Sequence, residues 1–326
     1  ITIPNSVTTI GDSAFYGCGG LTSITIPNSV TTIGRDTFRD CRGLTSVTIP
    51  DSVTSIGSSA FYGCSGLTSV TIGNGVKTIG DYAFRDCSGL TSITIPNSVT
   101  TIGDSAFYGC SGLTNITIGN GVTSIGYSAF YGCSGLASVT IGNGVKTIGD
   151  YAFYNCSGLE NVTIPDSVTS IGSYAFYNCR GLKSVTIGSG VTTIGTFAFG
   201  SNYELENIYI TDIAAWCNID GLGYLMNDGS GDKKLYLNNE LITDLVIPDG
   251  VKSIGSYAFC NCRGLTSITI PDSVTSIGIS AFSGCRGLTT INFNGTKKQW
   301  SAITKGDCWN LNLRNYTIKC TDGNIY

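Results

Sequence analysis

The sequence predicts an α/β solenoid of 23-residue coils, with a parallel sheet on one face and short helical turns and loops on the other. Three observations lead to this prediction. A unit of 23 residues, clearest from 44 to 66, recurs along most of the 326-residue chain. Hydrophobic residues make up 41% of the chain and charged residues 12%, a composition that argues against disorder. A unit this short cannot bury its apolar side alone, so stacked neighbours share one core.

The first half of each unit is predicted to be a strand. Val47 and Ile49 alternate with Ser46 and Thr48, which is the period of a half-buried strand. Pro50 ends this strand, and glycine takes the same place in other copies.

The second half of the unit is predicted to return the chain to the next strand. Val53 and Ile56 point inward, Gly57 permits a bend, and 58–62 form a short helical turn whose Phe61 fills the core. An aspartate often follows the Ile-Gly pair and is predicted to cap this turn: Asp12, Asp81, Asp104 and Asp150.

We expect one continuous solenoid with four parts: regular repeats 1–200, an irregular repeat 201–241 with a 14-residue insertion, regular repeats 242–293 and a capping segment 294–326. Trp216 is predicted to replace the core phenylalanine of one coil. Residues 235–237 form an extra strand, which Asn238 and Asn239 turn back toward the regular pattern. In the capping segment, Trp300 and Trp309 are expected to cover the last coil.

Most of the 14 cysteines are predicted to form a ladder, one in each coil. The ladder consists of Cys18, Cys41, Cys64, Cys87, Cys110, Cys133, Cys156 and Cys179, and it resumes at Cys262 and Cys285. We interpret these as buried free thiols that act as small apolar side chains. Because stacked coils lie roughly 5 Å apart, distance alone leaves disulfides open. Cys217, Cys260 and Cys320 lie off the ladder and are the better candidates for special roles.

These residues resemble the BspA-like leucine-rich repeat family, whose unit reads Cys-x-x-Leu-x-x-Ile-x-Ile-Pro-x-x-Val-x-x-Ile-Gly-x-x-Ala-Phe. The matching positions in one copy are Cys41, Leu44, Val47, Ile49, Pro50, Val53, Ile56, Gly57, Ala60 and Phe61. The resemblance implies a curved or extended leucine-rich-repeat solenoid of the kind found in surface or secreted proteins of mucosal bacteria. It also implies adhesion to host matrix proteins, host cells or other microbes, without fixing a ligand.

The composition excludes several kinds of chemistry. The chain has no histidine, no Walker-type loop and no Cys-x-x-Cys, so we expect no enzyme, no cofactor and no metal site. The segment Asp228-x-Ser230-x-Asp232 faintly resembles half a calcium loop, but a solvated loop is the favoured interpretation. A net charge of −4 without basic clusters argues against nucleic acid, and no apolar stretch is long enough for membrane insertion.

The outward side chains of the strands are the candidate binding residues. They form a nearly uncharged face rich in hydroxyl groups if the strands stack in register. The face consists of Ser23, Thr25, Ser46, Thr48, Ser69, Thr71, Ser92, Thr94, Asn115, Thr117, Ser138, Thr140, Asn161, Thr163, Ser184 and Thr186. The alternative without a binding function is that these residues are good strand formers on a solvent-exposed sheet. Tyr209, Asp244 and Val246 depart from the pattern, so any specific site is expected within 207–246.

A second stripe of tyrosines follows the core phenylalanine by one residue. Arginine replaces tyrosine in two of the coils, which indicates partial exposure. Packing of the rings between coils is favoured over contact with a ligand. The tyrosines of the stripe are Tyr16, Tyr62, Tyr108, Tyr131, Tyr154 and Tyr177.

Taken together, these features predict a non-catalytic interaction module at a bacterial cell surface, or one that is extracellular. The expected partner is a host matrix or cell-surface protein, or a microbial protein, bound in the manner of an adhesin. The alternatives are a structural spacer that presents another domain, or a carbohydrate-binding surface for a glycan partner.

Overall fold

The structure, a computed structural model, describes residues 1–227 and 232–326. Within these ranges the chain forms a β-solenoid of about 13 coils of about 23 residues each, with parallel sheets and little helix. The predicted repeat and parallel sheet are therefore confirmed. The α/β class is inexact, because the segments between the strands are mostly turns rather than helices.

One side of the solenoid, here called the long-strand face, carries three five-stranded sheets. The first contains Ser46–Ile49, Ser69–Ile72, Ser92–Ile95, Asn115–Ile118 and Ser138–Thr140. The second contains Asn161–Ile164, Ser184–Ile187, Asn207–Ile210, Lys234–Leu237 and Glu240–Leu241. The third contains Asp244–Val246, Ser267–Ile270, Thr290–Phe293, Thr317–Cys320 and Gly323–Ile325. All of their pairs are parallel except the two hairpins that end at 241 and 325.

A second side, the short-strand face, consists of two-residue strands that begin with Thr or Ser. Nine form one sheet: Thr9–Ile10, Thr32–Ile33, Ser55–Ile56, Thr78–Ile79, Thr101–Ile102, Ser124–Ile125, Thr147–Ile148, Ser170–Ile171 and Thr193–Ile194. Three more form a second sheet: Ser253–Ile254, Ser276–Ile277 and Thr304–Lys305.

The third side, the turn face, forms a further ladder between coils instead of the predicted helical turns. The Ser59 N–H donates to the Asp81 carbonyl of the next coil at 2.8 Å. The Phe61 N–H donates likewise to Ala83 at 2.7 Å, whereas Tyr62 donates back to Ser59 within the turn at 3.1 Å. Ser59 has a φ of 56°, a left-handed conformation that an α-helix of L-residues does not contain. The helices in the described residues are short: Ile213–Cys217, Gly223–Met226 and Lys297–Ala302.

The residues after each Ile-Gly pair join neighbouring coils. A Cβ on Gly57 would lie 2.6 Å from the carbonyl carbon of Gly34, so glycine is required by close approach rather than by a bend. Asp12 accepts a hydrogen bond at 2.7 Å from the N–H of Arg35, which belongs to the next coil. The same contact is made by Asp81, Asp104 and Asp150. The prediction that these aspartates cap their own turns is therefore wrong.

The core is a stack of equivalent side chains. Phenylalanine rings stack from Phe15 to Phe199, with successive centroids 5.1 to 5.2 Å apart. Trp216 takes part in the core as predicted: it is buried, and its indole Nε1–H donates to the Ala258 carbonyl at 2.8 Å.

The ladder cysteines bond to the core backbone. The Cys64 thiol donates to the Phe38 carbonyl of the preceding coil at 3.0 Å. Seven others make the equivalent contact at 2.8 to 3.3 Å: Cys41, Cys87, Cys110, Cys133, Cys156, Cys179 and Cys285. Asn202 follows Cys179 by one repeat, and its amide donates to the Phe176 carbonyl at 2.9 Å. All 14 cysteines are free thiols in this structure.

Proline follows the later strand at several interruptions of the ladders of the long-strand face, although Asp244–Val246 still pairs with Ser267–Ile270, which precedes Pro271. When a residue with an N–H follows a strand, it can donate to the preceding coil, as Asn294 does to the Ile270 carbonyl at 2.9 Å. Proline has no N–H to donate. Ser69–Ile72 and Ser92–Ile95, which Pro96 follows, share one register pair. Ser138–Thr140 forms none with Asn161–Ile164, which Pro165 follows. By contrast, Ser46–Ile49 pairs along its full length with the strand before Gly73.

The irregular repeat forms the predicted extra strand. Lys234–Leu237 pairs in parallel with Asn207–Ile210, and Asn238 and Asn239 turn the chain into an antiparallel hairpin. Both asparagines have a positive φ, of 51° and 69°, as a tight two-residue hairpin turn requires. At the other end of the chain, Trp300 packs edge-on against Phe293 with centroids 5.3 Å apart. This contact suits the proposed cap, which stays a prediction.

Candidate binding surface on the long-strand face

The structure stacks the predicted face in register. Ser46 pairs with Ser69 and Thr48 with Thr71, and equivalent residues of other paired strands align in the same way. The two columns are exposed from Ser23 to Thr163 and half-buried at Ser184 and Thr186. No charged side chain stands in either column before Lys234. The face is therefore a long, neutral surface of hydroxyl and amide groups.

Two tyrosines interrupt this polar surface. Tyr209 stacks on Tyr236 of the neighbouring strand, with ring centroids 4.6 Å apart and planes 18° from parallel. The Tyr236 hydroxyl donates to the Asn207 side-chain oxygen at 3.3 Å, and an exposed ion pair joins Lys234 to Glu206 at 3.0 Å on the same two strands. Both rings are half-buried, so this tyrosine pair presents fixed aromatic surface to solvent.

Asp244, a candidate binding residue from the sequence, forms hydrogen bonds with its own sheet. Its carboxylate accepts hydrogen bonds from the hydroxyls of Ser267 at 2.6 Å, Thr266 at 3.1 Å and Thr243 at 3.2 Å. These bonds lower the pKa of Asp244, and the bond from Ser267 has the largest effect. The carboxylate is thus engaged within its own sheet and has less capacity left for a partner.

The structure does not bring all three predicted site residues into one sheet. Tyr209 lies in the second sheet of the long-strand face, whereas Asp244 and Val246 lie on the first strand of the third. Val246 is 65% exposed. Tyr236 was not identified from the sequence, although its position in the Leu-Tyr-Leu strand makes its ring point outward like Tyr209.

The tyrosine stripe on the turn face packs between coils, as predicted. Tyr108, Tyr131, Tyr154 and Tyr177 stack with centroids 4.6, 4.7 and 5.2 Å apart. Nearer the N-terminus, arginine guanidinium groups continue the stack: that of Arg39 lies 4.4 Å from the centroid of Tyr62, and that of Arg85 lies 4.3 Å from Tyr108.

The cysteines outside the ladder show no sign of activation. Burial raises the pKa of Cys217 to about 12 and that of Cys260 to about 11. Burial also raises the pKa of the half-buried Cys320. A nucleophilic thiol requires a lowered pKa, so none of the three environments promotes thiolate chemistry.

The residues considered for a cation lie partly outside the described structure. Asp228 and Ser230 belong to the undescribed segment 228–231, whereas Asp232 forms an ion pair with Arg263. Across the described ranges, no three His, Cys, Asp or Glu residues are grouped so that they could hold a metal ion. In the same part of the chain no helix has the length and apolar character needed to cross a bilayer.

These features define a leucine-rich-repeat solenoid that presents broad surfaces. The model of the BspA type leucine rich repeat region matches residues 1–114, 100–217 and 232–321, with 6 copies. The chain belongs to this family. The family is generally non-catalytic, its members typically bind proteins, and the comparisons indicate no enzyme homologue. No curated protein shows significant similarity to the chain.

Solved bacterial structures resemble it along most of its length. A leucine-rich repeat protein from Bacteroides ovatus is 29% identical, with a TM-score of 0.60 over 98% of this chain and 83% of that protein. A leucine rich cell surface protein from Faecalibacterium prausnitzii is 31% identical over 93% of this chain and 89% of that one, with a TM-score of 0.47.

Proposed function

We propose that this solenoid binds a protein partner through the long-strand face, at a bacterial surface and in the manner of an adhesin. The observation that supports this most is the stacked pair of Tyr209 and Tyr236 on a surface rich in hydroxyl groups, where the nearby Lys234 and Glu206 neutralise each other. Tyrosine is enriched among the residues that dominate protein interfaces, because it buries a large rigid area at low entropic cost. The surrounding Ser, Thr and Asn side chains form the polar rim that such an anchor needs.

The location and the partner class rest on relatives. The relative from Faecalibacterium prausnitzii is described as a cell surface protein, and family members typically bind proteins. A host matrix protein, a host cell-surface protein or another microbial protein suits a face on which charged side chains are few, because recognition there depends on shape and hydrogen bonding more than on electrostatic steering.

We expect Tyr209→Ala and Tyr236→Ala each to weaken binding by roughly tenfold or more, as is usual for truncation of an anchor residue. The measurement is surface plasmon resonance of the purified chain against immobilised fibronectin, fibrinogen, collagen and laminin, followed by titration of each variant. Tyr209→Phe keeps the ring stack and should bind like the unaltered chain. Tyr16→Ala removes an exposed tyrosine from the turn face and is the matched control.

Equal loss of binding in Tyr16→Ala and Tyr209→Ala would contradict the assignment of the site. Absence of binding to every protein, by a chain with an intact thermal transition, would favour the spacer. Binding that a soluble glycan abolishes would place a carbohydrate on the long-strand face instead of a protein.

A further inference from the structure

A cavity of about 640 Å³ opens at the interruption of the short-strand face. The nine-stranded sheet ends at Thr193–Ile194, and the three-stranded sheet begins at Ser253–Ile254. Between them, the irregular repeat contributes the single bridging residue Asp220 instead of a two-residue strand, and the helix Gly223–Met226 follows. Asp220 forms a parallel bridge with Thr193, and its carbonyl accepts from the Ile194 N–H at 2.8 Å. Toward the three-stranded sheet, the Gly255 N–H donates to the Cys217 carbonyl at 2.9 Å. The cavity is therefore a consequence of the irregular repeat.

Three aromatic rings contribute to the wall of this cavity: Phe197, Tyr224 and Tyr257. Phe197 is 44% exposed, and its ring lies 5.8 Å from that of Tyr224 at an angle of 56°. The two tilted rings leave part of their faces uncovered. Tyr257 packs over Gly223, where an added Cβ would lie 2.9 Å from the ring, so glycine at that position makes room for the third ring.

A row of aromatic side chains leads along the turn face to the cavity. From Tyr127 the row passes through Tyr151 and Tyr174 to Phe197, with successive centroids 5.5, 5.0 and 5.5 Å apart. Most of these rings occupy a position that is serine in several other coils, such as Ser59. The row therefore brings aromatic surface to the cavity through the preceding coils, exposed at Tyr127 and Phe197 and half-buried at Tyr151 and Tyr174.

The polar groups of the cavity are mostly neutral. Asn218, Asn227, Ser253 and Ser256 are amides or hydroxyls, which both donate and accept hydrogen bonds. Asp220 is the charged residue of the lining, and its exposed carboxylate makes no hydrogen bond or ion pair with any residue in the described part of the chain. No lysine or arginine lines the cavity, so its chemistry does not suit an anion.

We propose that this cavity binds a neutral oligosaccharide, with one sugar ring against Phe197 and Tyr224 and further rings along the aromatic row. A pyranose combines apolar C–H faces, which pack on aromatic rings, with hydroxyls that match carboxylate and amide groups. Cavities lined by aromatic rings and a few convergent polar groups are typical small-molecule sites. An organic cation would use the rings and Asp220 but neither the neutral amides nor the row that continues outside the cavity.

The test is isothermal titration calorimetry of the whole chain with cellotetraose, xylotetraose, maltotetraose and N-acetylchitotetraose. We expect saturable binding of at least one of them, weakened about tenfold or more in Phe197→Ala and Tyr224→Ala because each loses an aromatic anchor. Tyr82→Ala is the matched control: Tyr82 precedes Phe197 by five repeats of 23 residues, has the same left-handed conformation and lies outside the cavity. Its binding should equal that of the unaltered chain.

Asp220→Asn provides a second variant that keeps the shape of the cavity, and we expect weaker binding from it too, with an unchanged thermal transition. Absence of binding to all four saccharides would overturn the proposal, as would equal affinities of Phe197→Ala and Tyr82→Ala. Binding of choline chloride without any saccharide would also overturn it, in favour of an organic cation. The long-strand face is not altered by these variants, so binding of a protein through Tyr209 is tested separately.

Discussion

At the ladder position of each coil, the side chain is determined by the carbonyl group that it meets. Cys64 and Asn202 differ in size and polarity, yet both donate a hydrogen bond to the carbonyl of a core phenylalanine in the preceding coil. The Phe38 carbonyl also accepts from the Cys41 N–H at 3.1 Å, so it keeps a partner without the thiol. A buried carbonyl that loses its last partner costs about 1–3 kcal/mol. The interpretation of the cysteines as small apolar side chains is therefore incomplete, because the thiol is also a hydrogen-bond donor, although a weak one.

Asn202 allows a direct test of this function. Its amide donates to Phe176, but its own buried Oδ1 has no hydrogen-bond partner in the described part of the chain. Asn202→Ala removes the donor, and we expect a loss of about 1–3 kcal/mol in the free energy of unfolding. Asn202→Cys restores the common side chain and removes the unsatisfied oxygen, so it should cost less than about 0.5 kcal/mol or stabilise the chain. Urea unfolding of both variants is the measurement, and equal losses would contradict the role of the donor.

At the scale of the element, a single backbone N–H after each long strand influences whether the sheet continues. Pro165 lacks this group, and the sheet is divided in front of its strand. The opposite side of the same coils is undivided: Thr147–Ile148 and Ser170–Ile171 pair normally. The interruption is therefore local to one face.

Restoring the N–H should extend the ladder. In Pro165→Ala the new amide can donate to the Ile141 carbonyl, and we expect slower hydrogen exchange in 161–165, measured by mass spectrometry. Pro248→Ala is the matched control, since the strand Asp244–Val246 is the first of its sheet and has no preceding ladder to extend. If both variants gain the same protection, or neither gains any, proline is not the cause of the interruption.

The elements that the sequence predicts are those that depend on side-chain periodicity or on a local turn signal. The alternation around Val47, the position of Phe61 in the core and the hairpin at Asn238 follow from such patterns. The turn face does not, because its left-handed residues include Ser59 and Tyr82 as well as glycines such as Gly63, and contacts between coils hold them there.

The candidate site was predictable only in part for a related reason. Tyr209 is visible as a departure from the Ser/Thr pattern, but its partner Tyr236 follows it by 27 residues rather than by the regular 23. The pairing depends on how many residues the irregular repeat places in helices, which periodicity does not reveal. The cavity beside Phe197 could not be predicted either, since it lies where the irregular repeat reduces the short strand to one bridging residue, Asp220, followed by a helix.

At the scale of the whole molecule, the chain is a one-dimensional array in which each coil bonds chiefly to its neighbours. Backbone ladders run along all three sides, and the ring stack and thiol ladder run through the core. Stability is then approximately a sum of coil and interface contributions. A small contribution to stability that recurs in every coil therefore adds up to a large one over the whole molecule.

The buried thiols are such a repeated property, and we expect them to make the stability of the chain sensitive to alkali. Burial raises the pKa of Cys64 and Cys133 from 9.0 to about 12, and that of Cys41 to about 11. Above about pH 9 the unfolded chain loses these protons while the folded chain retains them, so stability is complete below that pH and falls as the pH rises toward 12. Urea unfolding under reducing conditions from pH 7 to 10.5 should show the decline.

Variants separate the thiols from the tyrosines, which titrate in a similar range. Cys64→Ala should reduce the dependence of stability on pH by about one proton, because it removes one buried thiol with a raised pKa. An identical pH dependence for Cys64→Ala and the unaltered chain would show that the ladder thiols do not cause the decline.

The close equivalence of the coils has a consequence for heredity. A coil such as 44–66 meets almost the same backbone and core groups before and after it as its neighbours do. Duplication or loss of one whole unit by unequal recombination within the gene would therefore give each remaining coil a compatible neighbour. The length of the protein can drift between generations while the irregular repeat, with its tyrosine pair and cavity, is copied unaltered.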